Sequence, residues 1–435
     1  MSIDALILAA GKGSRMQSET PKTLVQLLNK PMILHIIDAA LNSRMIHHAF
    51  VVLGYKREMV EAVINHKATC LVQAEQRGTA DAVLKAEGAM KSDDVIILLG
   101  DMPLITTAII DHVIEVHRNQ EHTLTVLSVD QENPDGYGRI IRDTSNQVMK
   151  IVEDRDCTPQ QKRITEVNTG VFVVKRDALF EAAKQVKPSE KNGEYSITDI
   201  VEILSSTSQV GVVRSNDSNA LRGVNTVSQL LAAELRLKER IVEEHIKNGV
   251  NIAPNHVSIG ADVSIERGAT LLANTRLGGH TSIGKNVVVG PDASVEQSTL
   301  HNHVRVIRSV IRHTVLGEHT SVGPFSYVHD QTTIGPHNKI GNFVEMRSTS
   351  TGAKVRIGNH VRLLDTTIGS NTAIEEGTLV IGEVKAFAHT VIGNHVKIGA
   401  HCVIKAGVHI GDGVYVEDGS RIDMDIPSPN GNGTS

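Results

Sequence analysis

The strongest constraint on the fold lies in the second half of the chain. From residue 250 onward an aliphatic residue followed by glycine recurs: Ile259-Gly260, Leu277-Gly278, Ile283-Gly284, Val289-Gly290, Leu316-Gly317, Val322-Gly323, Ile334-Gly335 and Ile340-Gly341. The run continues with Ile357-Gly358, Ile368-Gly369, Ile381-Gly382, Ile392-Gly393, Ile398-Gly399 and Ile410-Gly411. Most spacings are six or a multiple of six, with slips of one residue between Ile357 and Ile392. A hexapeptide period is the signature of a parallel β-helix, in which each coil buries only its aliphatic corners and stacks on the next. Three hexapeptides per coil give a triangular prism. A chain with no Trp and 3% aromatic residues suits such packing by small aliphatic side chains. The flat prism faces would be partly wet in a monomer, so a homotrimer is the expected assembly.

The first 224 residues read differently, as apolar strands alternating with amphipathic helices. Strands are expected over residues 5–10, 49–53, 69–72, 95–99, 124–129 and 170–174, and helices over 31–41 and 79–89. Such alternation predicts an α/β domain, a mostly parallel, Rossmann-like sheet with helices on both faces, with ligands beyond the carboxyl ends of its strands. Residues 225–249 carry a Leu-spaced polar segment (Leu230, Leu231, Leu235, Ile241, Ile246) that stops before Gly249, a linker helix. The prism then occupies 250–425, and 426–435 form a short polar tail.

Charge and cysteine content narrow the function. A formal charge of -5 leaves no nucleic-acid or membrane-surface footprint. Cys70, Cys157 and Cys402 have no disulfide or zinc spacing, and the apolar run 3–10 is too short to span a membrane or serve as a leader. A cytoplasmic protein is expected.

Leu8-Ala9-Ala10-Gly11-Lys12-Gly13-Ser14-Arg15-Met16, with Pro21-Lys22 after it, follows the first strand. Gly11 and Gly13 let backbone N–H groups approach a ligand, and Arg15 and Lys22 add fixed positive charge, as a triphosphate cradle requires. Met16 breaks a dinucleotide fingerprint, and the P-loop pattern is absent. In Gln73-Ala74-Glu75-Gln76-Arg77-Gly78-Thr79, the amides of Gln73 and Gln76 offer both donors and acceptors, as reading a pyrimidine edge needs. Read alone, this is also a polar loop with Thr79 capping the next helix. The strand 95–99 ends in Gly100-Asp101, and a carboxylate leaving a buried strand beside a phosphate site suits Mg²⁺.

G-x-G-x-R-M followed by P-K resembles the sugar-1-phosphate nucleotidyltransferases, with Ser14 where that family usually has Thr. Gly136-Tyr137-Gly138-Arg139, Ile151-Val152-Glu153, Asn168-Thr169-Gly170, Gly193-Glu194-Tyr195-Ser196-Ile197-Thr198 and Gly223-Val224-Asn225 narrow the resemblance. It is to the bacterial bifunctional N-acetylglucosamine-1-phosphate uridyltransferases, which also acetylate glucosamine-1-phosphate. The resemblance implies that Leu8 to Gly13, Gln73, Gln76, Gly78, Thr79 and Gly100 bind the nucleotide. Gly138, Glu153 and Asn168 would hold the sugar, with Tyr195 and Thr198 on its acetamido side. Asp101 and Asn225 would hold Mg²⁺, Arg15 and Lys22 would act on the triphosphate, and the substrates would be UTP and an amino-sugar-1-phosphate. The family's Tyr before Gly-Asp is Leu99 here.

In the repeat, Ile340-Gly341-Asn342-Phe343-Val344-Glu345-Met346-Arg347 resembles the family's G-N-F-V-E-M-K segment, and its catalytic His falls at His360. Glu345, Arg347 and His360 are therefore the candidates for acetyl-CoA chemistry. Yet Asn-His-Val also occurs at 255–257, 302–304 and 394–396, as expected of a coil filler. The family's R-L-R-P is Tyr327-Val328-His329-Asp330, and its N-Y-D-G stretch is replaced around Gly382-Glu383-Val384. Weak or absent acetyl transfer is expected, with acetyl-CoA a co-substrate only if that site works.

Overall fold

The computed structural model describes residues 2–13, 20–191, 193–381 and 389–429. The chain divides into two compact units, Met1–Leu237 and Lys238–Ser435. The division falls inside a helix that the sequence marks as a separate linker.

Among its described residues, the first unit carries a nine-stranded sheet: β1 Ile3–Ala9, β2 Ile46–Leu53, β3 Thr69–Val72, β4 Asp94–Leu99, β5 Leu124–Asp130, β6 Arg139–Arg142, β7 Val148–Val152, β8 Glu166–Lys175 and β9 Val210–Ser215. The main order is β9-β5-β8-β4-β1-β2-β3, with β6 and β7 branching from β8. Its helices are α1 Met32–Leu41, α2 Arg57–Ile64, α3 Thr79–Leu84, α4 Thr107–Asn119, α5 Arg176–Gln185, α6 Asp199–Ser205 and the long α7 Val227–Lys247. Alternation along β1 decides which helix packs where. Ile3, Ala5 and Ile7 face a core shared with α1 and α4. Leu6 faces the opposite core, with α3, α5 and α6. Both faces are covered, so the strands are apolar almost throughout.

Three details refine the expected, mostly parallel α/β domain. β8 runs antiparallel to both β4 and β5 inside an otherwise parallel order. β6, β7 and β9 are short and partly exposed, so their apolar signal is too thin to read. The helix expected over 79–89 ends at Leu84, where three-residue bonds such as Ala86 N–H to Val83 O (2.9 Å) take over.

The second unit is a left-handed β-helix of three parallel sheets. Two have ten strands, from Asn251–Ile252 to Tyr415–Val416 and from Ser258–Ile259 to Arg421–Ile422. The third has nine, from Ser264–Ile265 to His409–Ile410. The recurring aliphatic residues stack inward as one continuous core. Coil length varies more than the glycine pairs suggest. Thr270 pairs with Val288, but Val288 pairs with Arg305 and Arg305 with Ser321, so shortened coils begin well before Ile357. Ala373 pairs with Lys397, a longer coil containing segment 382–388, which lies outside the described residues.

The structure explains the recurring Asn-His-Val. Each His takes a positive φ at a coil corner: 53° at His256, 60° at His303, 57° at His360 and 56° at His395. The Asn before it accepts a backbone N–H from the preceding coil, as Asn302 does from Lys285 (2.9 Å) and Asn359 from Asn342 (2.9 Å). The Val points inward.

Candidate active site

Three chain segments far apart in sequence meet at one end of the sheet. Lys22 begins a single 3-10 turn after Pro21. Asp101 leaves β4 one residue after Gly100, whose N–H is held by Leu8 O at 2.9 Å. Asn225 stands just before α7, and the neighbouring Val224 N–H donates to Asp101 O at 2.8 Å, pinning the two segments together. The Lys22 Nζ lies 2.6 Å from Asp101 Oδ2 and 2.8 Å from Asn225 Oδ1. A Cβ at Gly13 would stand 2.6 Å from the Lys22 Cβ, so the Gly loop closes directly onto this lysine. Arg15, with Ser14 and Met16, lies outside the described residues.

A carboxylate and an amide oxygen gripping one cation are the donor chemistry of a Mg²⁺ site, which takes one or two such side chains plus phosphates. Lys22 shows that the pair can hold a positive charge between them. No group of three or more His, Cys, Asp or Glu that could hold a metal occurs among the described residues. Gln229 is a contributor that pattern reading missed: its Oε1 accepts from the N–H groups of Asn225 (2.7 Å) and Thr226 (3.1 Å) and fixes the Asn225 backbone. Tyr137 is another. Burial pushes its phenol up, Arg222 pulls it back and Asp101 adds to the rise, which places its hydroxyl in the field of this cluster.

The Gln73–Thr79 loop is stitched to the segment carrying Tyr195 and Thr198. Tyr195 N–H donates to Arg77 O (2.8 Å), Ala80 N–H to Tyr195 O (2.9 Å), and Ile197 N–H to the Thr79 hydroxyl (2.8 Å). Thr79 therefore braces the neighbouring segment, and the cap position of α3 falls to Gly78. Gly78 has φ 118° and a Cβ there would lie 2.4 Å from Tyr195 O, so only glycine allows the two segments to touch. Gln73 is buried, and its amide nitrogen donates to Gly78 O (3.0 Å) and Asp81 Oδ2 (2.8 Å). The Gln76 amide reaches the turn leaving β2, 2.9 Å from where a Cβ of Gly54 would be.

Gly138, Glu153, Asn168 and Thr198 converge on a second cluster. A Cβ on Gly138 would lie 3.7 Å from Glu153 Oε2 and 3.8 Å from the Asn168 Cβ. Thr198 donates its hydroxyl to Glu153 Oε1 (3.0 Å), and Asn168 N–H donates to Gly138 O (2.8 Å). Beneath them Arg139 is fully buried and pairs with Asp154 at 3.0 Å. Its place in the motif gave no hint of that bracing role. Leu99, where the family has Tyr, fills the space beside Gly170.

The second unit does not gather its three candidates. His360 is an exposed corner residue stacked on Phe343, ring centroids 4.8 Å apart and planes 8° from parallel. Glu345 lies on a sheet face, tied to Arg362 Nε at 2.9 Å and facing His329 Nε2 at 3.8 Å. Arg347 is the rung partner of His329 and Leu364. The His360 ring packs on Phe343 rather than on either of them.

The nucleotidyl transferase family model matches residues 4–239, and the bacterial transferase hexapeptide model (six repeats) matches 313–348 and 389–423. The chain is 36% identical to the bifunctional protein GlmU of Acholeplasma laidlawii (strain PG-8A) over 427 residues, 97% of this chain and 93% of that one. It is 36% identical to the bifunctional protein GlmU of Clostridium beijerinckii (strain ATCC 51743 / NCIMB 8052) over 397 residues, covering 90% and 87%.

Proposed function

This chain belongs to the bifunctional GlmU family, and from that premise we propose how its residues divide the work. It is a sugar-1-phosphate uridylyltransferase that joins UTP to N-acetylglucosamine-1-phosphate, forming UDP-N-acetylglucosamine and pyrophosphate. A phosphate oxygen of the sugar attacks the α-phosphorus of UTP, a new P–O bond forms, and the bond to the β-phosphate breaks as pyrophosphate leaves. The nucleophile is already ionised at neutral pH, so no general base is required. Positioning and charge neutralisation carry the rate.

In this reading Lys22 and Arg15 neutralise the triphosphate. Gln73, Gln76, Gly78 and Thr79 present the uracil edge, with Leu8, Ala9, Ala10, Gly11, Gly13 and Gly100 lining the nucleotide. Gly138, Glu153, Asn168, Tyr195 and Thr198 hold the sugar. Asp101 and Asn225 hold a divalent cation, Mg²⁺, which when bound neutralises charge on the reacting phosphates. The observation that carries the reading is the convergence of Lys22, Asp101 and Asn225 within 2.6 and 2.8 Å. The test is pyrophosphate release from UTP with a panel of sugar-1-phosphates. Selective release with N-acetylglucosamine-1-phosphate supports the reading, and indifference to the sugar overturns the sugar assignment.

We also propose that residues 1–224 form the transferase domain, 225–249 a linker helix, 250–425 the prism and 426–435 a tail, in a cytoplasmic homotrimer. Three free cysteines agree with a reducing compartment. No helix of the described residues is long and apolar enough to cross a membrane. Acetyl transfer to glucosamine-1-phosphate is proposed to be weak or absent, because His360 is built as a coil corner. Free-thiol release from acetyl-CoA that depends on His360 would overturn this.

A further inference from the structure

One face and the adjoining corner of the prism carry a strip of positive charge, interrupted at the Ala373 rung, that the uridylyl reaction does not use. The outward residues of one ladder are, rung by rung, Arg305, Ser321, Lys339, Arg356, Ala373 and Lys397. All four cations are exposed, and none forms an ion pair with a described residue. The corner two residues earlier adds exposed Lys354 and four exposed histidines. His303, His319 and His337 stack with ring centroids 4.6 and 5.0 Å apart and planes 2° and 4° from parallel. His395 continues the column two rungs past Lys354. At roughly 4.8 Å per rung the strip runs about 24 Å from Arg305 to Lys397. Beside it lie Gly323, Gly341 and Gly358, which leave the face flat.

We propose that this strip binds a linear, base-free polyanion, with affinity that rises as the pH falls. Regular cations on a flat track match regular negative charge along a flexible chain, and binding releases that chain's counterions. Single-stranded nucleic acid fits less well, because it needs aromatic platforms for its bases. Tyr415 sits beside Lys397 at 5.5 Å, and the stacked pair Phe325 and Phe343 lies off the track, at the far edge of the face two residues past Gly323 and Gly341. A membrane fits less well because the strip's own large side chains are cationic, and the exposed Phe325 and Phe343 lie beyond it at the far edge of the face.

The pH dependence comes from the imidazoles. Histidine changes charge between about pH 5 and 8, and parallel rings 5 Å apart repel once charged unless an anion lies across them. The charged groups facing them are few. Lys285, paired with Glu266 at 3.9 Å, and Lys354 flank the column, exposed His301 lies two residues before His303, and Arg305 and Lys339 follow on the face. Glu318 precedes His319 at the corner and accepts from Asn302 at 3.2 Å. Glu375 stands beside the gap between Arg356 and Lys397, and Asp412 and Glu417 lie at the far end.

The test uses the full chain and end-labelled linear inorganic polyphosphate, followed by fluorescence anisotropy across a salt series near pH 5.5 and pH 8. Binding is expected at both, tighter at the lower pH, with affinity falling steeply as salt rises. Lys339→Glu with Arg356→Glu should weaken it by about tenfold or more, since fewer neutralised phosphates mean fewer released counterions. Replacing His303, His319, His337 and His395 by Gln should abolish the pH difference while leaving the binding near pH 8. Both variants are at exposed positions, and unchanged melting and uridylyl transfer show that they remain folded. Absence of binding at low salt, or equal binding by the charge-reversed variant, overturns the proposal. So does binding confined to single-stranded DNA or to anionic vesicles, or burial of the strip between copies of the chain.

Discussion

Lys22 is held where a cation is wanted. Its ammonium bridges Asp101 and Asn225, the two side chains proposed for the metal, so an ion bound there would compete with the lysine for one place. Lys22→Met should slow turnover by about 10²-fold, the size of one preorganised charge interaction. In the absence of nucleotide the same variant should bind Mn²⁺ more tightly than the native chain in an isothermal titration, and weaker binding would show that lysine and ion do not compete. Asp101→Ala should abolish pyrophosphate release with an unchanged circular dichroism spectrum, and near-normal turnover would remove Asp101 from the metal site. The sequence named Asp101 and Lys22 because their chemistry is written in their type, a carboxylate at a strand end and a lysine after a Gly loop, whereas Asn225 came from the family resemblance alone. It gave no role to Gln229 or Arg139, since both act by bracing other groups, and bracing depends on what the fold brings near.

At the scale of elements, the segments that matter are those stitched together across the sequence. Gly78→Ala places a Cβ against the Tyr195 carbonyl at a φ that L residues avoid, which costs about 1–3 kcal/mol of local strain. The expected result is a raised KM for UTP with less change in kcat, and an unchanged KM would mean that the loop does not touch the nucleotide. Strand β8 carries Asn168 and begins at Glu166. Burial alone would raise the Glu166 carboxyl, but hydrogen bonds from Arg142 and Ser128 outweigh it and hold the group below its ordinary value. A lowered carboxylate contributes stability above its unfolded pKa of about 4.3, and that contribution is lost as the pH falls through the folded value. Glu166→Gln should therefore be less stable than the native chain at pH 7 in urea, and the gap should close in acid. A gap independent of pH would contradict the sign. Patterns of apolar residues revealed the long buried strands; β6, β7 and β9 escaped because half-exposed strands share their composition with loops.

For the molecule as a whole, the prism was the most legible part, because a hexapeptide period can stack in few ways. Less legible was its irregularity: coils shorten where turns drop a residue, and the glycine pairs do not mark that loss. The proposed trimer should appear as a single mass by light scattering at micromolar concentration, and a monodisperse monomer would contradict it. His360→Val should lower the prism's melting temperature while His360→Asn should not, because Asn tolerates the corner's positive φ and a β-branched residue does not. Equal effects would show that the corner role is wrong. In the prism each coil touches only the coils on either side, so its cooperativity is that of a row of dominoes rather than of a droplet. Disorder introduced at one rung propagates along the row instead of spreading through a volume. Melting should then start as a peeling from an end or at the long coil between Ala373 and Lys397. A change of length is absorbed only in whole turns. A prism of this kind can be lengthened or trimmed like a ruler, its remaining marks unmoved.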